Sequence, residues 1–490
     1  MLTPNDAPGT RRDTLACGAY PRAVEPEELA GAIKRLVAWA EQHAPKPEPP
    51  VRVRLREHFG CEPGELPVIS RPLEAWDRPN LHVALEAWLE GRDVEVVGVS
   101  VMEGYRAGLA ELVRGGSWSG HVELGGVEHV TVPLGGDESL TCVQSGLWLV
   151  RDGERRVALM LKSTDHGMGE QLALEAMAPA PGAAESALAE LRHLMHERNV
   201  YRGRVLELAP RHFHGQQGAP LTVRALPDIA RERIVLPEGV LERVERQAFG
   251  IARHAERLRA SGRHLRRGLL LHGPPGVGKT LTAMYLATRM PDRTVVLLTG
   301  QSLGMVGASV DLATALQPAM VVLEDVDLVA MERLHRPTNP ILFELLNAMD
   351  GLAEDQDVLF VLTTNRADLL EPALASRPGR IDQAVELPLP DADGRRRLVA
   401  LYGEGLGLTL RADAPLIEEL DGTSPAFIRE LLRRAALLAA EETADGALRV
   451  DERHLHAALD ELRRGGDELT QTLLGARAFE PGDGLDELGE

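Results

Sequence analysis

The sequence predicts an α/β core, with a parallel sheet covered by helices on both faces and a C-terminal helical lid after it. An N-terminal α+β domain precedes that core. Three observations carry the reading. From Ile234 to Pro390, short apolar runs alternate with helical periodicities, the pattern of parallel strands buried on both sides. Gly273 to Thr280 match G-x-x-x-x-G-K-[ST] between one such run and a helix. Beyond Pro390 only helical periodicity remains.

At 490 residues the chain holds two or three domains. A formal net charge of −20 argues against non-specific nucleic-acid binding. No apolar run reaches the length of a membrane span, and Met1–Arg12 lacks the apolar stretch of a signal peptide. A cytoplasmic protein is therefore expected. Cys17, Cys61 and Cys142 are too few and scattered for a disulfide framework or zinc site, and read as free thiols. Lysine stands only at positions 34, 46, 162 and 279. With Ala, Gly and Arg abundant, this reads as the codon bias of a GC-rich bacterial genome.

Residues 1–22 are rich in Pro, Gly and Thr and are expected to be flexible. Residues 23–215 form the α+β domain. Its helices are expected at Glu27–His43, Asn80–Glu90 (with Asn80 as cap), Tyr105–Val113 and Ala184–Arg198, and Pro45–Pro50 breaks the first. Its strands are expected at Asp93–Val101, His121–Leu134, Leu140–Val150, Arg156–Leu161, Gln171–Met177 and Arg204–Leu208, with a hairpin at Arg151–Gly153 and a linker at His212–Ala219. His193 and His196 lie one helical turn apart with no third ligand at metal spacing, and Asp165, His166 and Gly167 read as a turn. The nucleotide-binding core spans 216–390 and the lid 391–466. The tail 467–490 is acidic and Gly-rich, and expected to be flexible.

The motif predicts a phosphate site. Gly273, Pro274, Pro275, Gly276, Val277, Gly278, Lys279, Thr280 and Leu281 form the binding set, in which glycines let backbone N–H groups curl around a phosphate at a helix N-terminus. Lys279 reaches the β- and γ-phosphates, and the Thr280 hydroxyl is a Mg²⁺ ligand. Farther on, Met320–Leu323 deliver Glu324 and Asp325 to the C-terminal edge of the sheet. One carboxylate can hold the Mg²⁺ water shell while the other polarises the attacking water.

These pieces, with Leu345–Leu352, Leu362–Asp368 and Pro372–Asp382, resemble the AAA family of AAA+ ATPases over about Arg231–Arg464. The Glu-Asp order inverts the family's usual Asp-Glu. It is similar to that of the mitochondrial inner-membrane AAA protein that translocates the Rieske iron–sulfur subunit, whose transmembrane anchor is not found here. The resemblance implies a P-loop NTPase core, ATP and Mg²⁺ as substrate and cofactor, and ATP hydrolysis to ADP and phosphate. It makes Glu324 the carboxylate that serves Mg²⁺ through water, Asp325 the one beside the lytic water, and Asn365 the sensor that orients that water. Arg377 and Arg380 become arginine fingers reaching a neighbouring subunit's γ-phosphate. It also implies a ring, a hexamer in most members, that remodels, unfolds or disassembles proteins, with Met305, Val306 and Gly307 at the pore loop and Met305 where an aromatic is usual. Asp421–Glu430 sits where the lid approaches the nucleotide, with Pro425 and Ala426 replacing the usual Gly-Ala.

Residues 23–215 are expected to recruit a protein client or adaptor. Two other readings stay open: an ATP-gated assembly factor or scaffold that threads nothing, and a nucleic-acid translocase, which the acidic balance and missing aromatic–basic patch disfavour.

Overall fold

The computed structural model describes residues 26–43, 48–100, 108–114, 123–165, 170–208, 221–265, 267–327, 340–353, 356–368, 381–408, 415–442 and 448–464. The expected flexible ends 1–22 and 467–490, the linker His212–Ala219, His166 and Gly167, and Arg377 and Arg380 lie outside them.

The first sheet is antiparallel. Its strands are β1 (Val68–Leu73), β2 (Asp93–Ser100), β3 (Glu123–Gly125), β4 (Glu128–Gly135), β5 (Glu138–Asp152), β6 (Arg155–Asp165) and β7 (Glu170–Met177). They run β1-β7-β6-β5-β2-β3, with β4 paired to β5. Alternation along the strands loads both faces with apolar side chains. Trp148, Leu159 and Leu174 pack under α3 (Asp77–Leu89) and α5 (Ala183–Glu197). Leu147, Leu149 and Met160 pack under α2 (Pro50–Phe59) and α4 (Leu109–Arg114). Helix α1 (Pro26–His43) keeps Leu29, Ile33, Leu36, Val37 and Trp39 exposed.

One local reading changes. Asn80 is not a cap: the helix begins at Asp77, and the buried Asn80 side chain accepts from the Val200 amide at 2.9 Å. Pro50 starts helix α2, consistent with the tolerance of proline in a first turn. His193 is exposed, and among the described residues no cluster of three or more His, Cys, Asp or Glu could hold a metal ion.

The second sheet has the order β14-β10-β13-β12-β11-β8-β9. Its strands are β8 (Val205–Leu208), β9 (Leu221–Arg224), β10 (Arg267–His272), β11 (Thr294–Leu298), β12 (Ala319–Leu323), β13 (Val358–Thr364) and β14 (Gln383–Glu386). All pairings but β8–β9 are parallel. Every residue of β11, β12 and β13 is buried, as a sheet covered on both faces requires. Helices α6 (Val240–Ala260) and α7 (Lys279–Thr288) cover one face, α8 (Val306–Ala315) and α9 (Pro340–Gly351) the other. The strand expected at Arg204–Leu208 leaves the N-terminal domain: Val205 pairs with Val295 of β11, extending the core sheet.

Short bonds join the two parts. Arg202 donates to the Gln317 carbonyl at 3.0 Å, Gly203 N to Thr294 Oγ1 at 3.1 Å, and Arg204 pairs with Glu138 at 2.8 Å. The lid comprises α10 (Ala392–Tyr402), α11 (Leu416–Glu419), α12 (Pro425–Glu442) and α13 (Glu452–Arg464) around their own apolar core. Asp391 caps α10 by accepting from Gly394 N at 2.7 Å. The buried Arg395 fastens α10 to the Ile417 carbonyl and to Asp421. Among the described residues no helix is long and apolar enough to cross a membrane.

Candidate active site

Parallel pairing brings the C-terminal ends of β10, β12 and β13 to one edge, where ligands bind in open α/β sheets. From β10 the chain turns through Gly273–Gly278 into α7. At two of these positions glycine is needed for space as well as for its backbone angle. Gly273 has φ 147, and a Cβ there would lie 2.2 Å from the Leu387 carbonyl oxygen. Gly276 has φ 77, and its Cβ would meet Ser424 Oγ at 2.7 Å and Ala426 Cβ at 2.9 Å. Lys279 opens α7 at 5 % exposure, its Nζ donating to the Gly273 and Pro274 carbonyls at 2.8 Å each. Burial lowers its pKa to about 8 against the opposing pull of Asp325 and Asp327.

The two acidic residues after β12 diverge. Asp325 lines the cleft with Lys279, Thr280 and Asn365, whereas Glu324 is not among the lining residues. Glu324 Oε1 is buried without a hydrogen-bond partner, and burial, Asp325 and Glu207 push its pKa up. Asp325 accepts from Asn365 Nδ2 at 3.4 Å. Its pKa is raised by burial and by Asp327, while Lys279 and Asn365 oppose the rise. Asp327, which carried no role in the sequence reading, is 3 % exposed and accepts from Thr364 Oγ1 and Asn365 N at 2.9 and 3.1 Å.

The lid closes the other side. Ala426 N donates to the Gly276 carbonyl at 3.2 Å, so Pro425 and Ala426 bring the lid backbone against the phosphate loop. The cleft between them encloses about 960 Å³. Apolar side chains of Ile229, Val235 and Tyr402 also line it, as do Arg233 and Arg429.

Residues 269–389 match the sequence profile of the ATPase family associated with various cellular activities, AAA. The chain carries an AAA ATPase domain. A proteasome-activating nucleotidase of Methanothermobacter thermautotrophicus is 30% identical over 246 residues, 47% of this chain and 60% of the relative. The ATP-dependent zinc metalloprotease FtsH 4 of Sphaerobacter thermophilus is 32% identical over 231 residues, 44% of this chain and 34% of the relative. The human ATPase family gene 2 protein homolog A is 31% identical over 248 residues, 48% of this chain and 28% of the relative. The chain thus spans less than two thirds of the length of each of these relatives.

Within the AAA domain the structure brings together Gly276, Lys279, Thr280, Asp325 and Asn365, and leaves Glu324 outside the cleft wall. The exposed Thr280 lies on that wall, and its hydroxyl fits Mg²⁺ held jointly with phosphate oxygens. The loop expected to grip a substrate is a 3-10 turn, Gly300–Met305, leading into α8. There Val306 is 1 % exposed and Met305 packs against the core. Ile229, Val235 and Tyr402 escaped the sequence reading because apolar wall residues from separate segments carry no motif.

Proposed function

We propose that this chain is an ATP hydrolase of the cytoplasm, working as a ring of copies to remodel, unfold or disassemble a protein client recruited through residues 23–215. The observation that supports this best is the convergence of Lys279, Thr280, Asp325 and Asn365 on one cleft that the lid borders. The triphosphate takes the place of the two carbonyls now bonded to Lys279, whose ammonium then offsets γ-phosphate charge. The purine lies toward Ile229, Val235 and Tyr402. Asp325, with its raised pKa, accepts a proton from water while Asn365 holds that water in line. Thr280 would hold Mg²⁺, which when bound neutralises phosphate charge, with Glu324, from outside the cleft wall, reaching it through water. Arg377 and Arg380 act across the subunit interface. The test is phosphate release by the full chain and by Lys279→Ala. Turnover retained in that variant contradicts the site. Arg377→Ala and Arg380→Ala are expected to bind ATP and hydrolyse it poorly.

A second reading, an ATP-gated scaffold that threads nothing, draws support from the inward packing of Val306 and Met305. Clients trapped on Asp325→Asn protein and then offered to Met305→Ala separate the two. Undiminished processing favours the scaffold.

A further inference from the structure

Asp325 is the one non-glycine residue with positive φ among the described residues, at 48°. This conformation is strained for an L-residue, least so for Asn and Asp, and persists only where neighbours enforce it. The neighbours here come from the end of β13. Asp325 N donates to Thr363 Oγ1 at 3.0 Å. Two residues on, the Asp327 carboxylate receives Thr364 Oγ1 and the Asn365 amide, and Thr364 Oγ1 itself accepts from Arg366 N at 3.0 Å. Thr363 and Thr364 are fully buried. The ring closes through Asn365 Nδ2 on Asp325. Past the end of β13 the Asn365 amide has no strand partner, so its backbone is held by a side-chain charge.

We propose that Asp327 is a positioning residue for hydrolysis, anchoring the Asn365 backbone so that its side chain meets the Asp325 carboxylate. This rests on the hydrolytic reading above. Asp327 does not line the cleft and acts through Asn365. Its electrostatic pull on Lys279 is a rival route, and the two separate cleanly. Asp327→Asn keeps the oxygen that receives the amide but loses the charge, whereas Asp327→Ala loses both.

The experiment measures kcat, ATP affinity and amide exchange of the peptide containing Asn365, all on the full chain. For Asp327→Ala, kcat is expected to fall about tenfold or more with ATP affinity within about threefold. Asp327→Asn is expected to recover to within about threefold of wild type. Exchange around Asn365 should quicken about tenfold in the Ala variant while α7 stays unchanged. Should Asp327→Ala not fold, Thr364→Val removes one of the two anchoring bonds at nearly constant shape and is expected to lower kcat about threefold or more. Wild-type kcat in Asp327→Ala, an Asn variant as impaired as the Ala variant, or a matching loss of ATP affinity overturns the proposal. If the wild type hydrolyses nothing, the hydrolytic reading fails, and the exchange data still decide whether Asp327 anchors Asn365.

Discussion

The amide of Ala426 donates to the carbonyl of Gly276 at 3.2 Å, tying the first turn of the lid helix α12 to the middle of the phosphate loop. Gly276 is also where an added Cβ would strike Ser424 and Ala426. Gly276→Ala therefore meets both a left-handed backbone and a lid it must push away. ATP affinity is expected to weaken about tenfold or more, the equivalent of roughly 1–2 kcal/mol of strain. Titration with a fluorescent ATP analogue checks this, and unchanged affinity would mean that the lid does not seat on the loop.

Lys279 gives binding a pH signature. Its folded pKa, about 8, lies below the ordinary 10.5, chiefly through burial. Between those values the unfolded chain binds more protons, so this residue's contribution to stability rises with pH across that window and is at its least below pH 8. Nucleotide binding runs the other way because it needs the ammonium. ATP affinity should fall as pH climbs past about 8, approaching about tenfold per unit. Lys279→Ala should bind weakly with no such slope. A flat wild-type profile contradicts the assignment.

Replacing Asp325 by Glu brings in the family's usual catalytic side chain but should not improve this site. Glu tolerates φ 48 less well than Asp, and its carboxylate is carried about 1.5 Å farther, past the Asn365 amide. Asp325→Glu is expected to lower kcat about tenfold at nearly unchanged ATP affinity. Faster turnover in steady-state assays would sink this account of the Glu-Asp order.

Under the same sheet, Arg293 Nη2 lies 2.7 Å from Asp357 Oδ2, and both side chains are less than a tenth exposed. Removing one partner strands a buried charge. Asp357→Ala is expected to destabilise the AAA domain by about 3–5 kcal/mol, read from denaturant unfolding. A loss below about 1 kcal/mol would show the pair to be solvated.

The core was legible because its constraints are local. Gly273 and Gly276 sit where a Cβ would collide, and the β11 and β12 segments are apolar throughout because both faces are covered. Strand β8 misled for the opposite reason. Four residues carry little pattern, and the pairing of Val205 with Val295 is set by a contact about ninety residues away. Asn80 has the chemistry of a cap, but the Val200 amide claims it instead. The Glu324–Asp325 pair was visible as two carboxylates. Which one enters the cleft depends on the backbone turn at Asp325, which side-chain chemistry alone does not reveal.

On the proposed function, Asp325 activates water in a cleft that Lys279 and Gly276 build for ATP. Paired ATP-binding and phosphate-release measurements on wild type and Asp325→Asn decide this. The variant should bind ATP within about threefold of wild type and release phosphate about a hundredfold more slowly. Turnover near the wild-type rate, or lost binding with unchanged turnover per bound ATP, would contradict it.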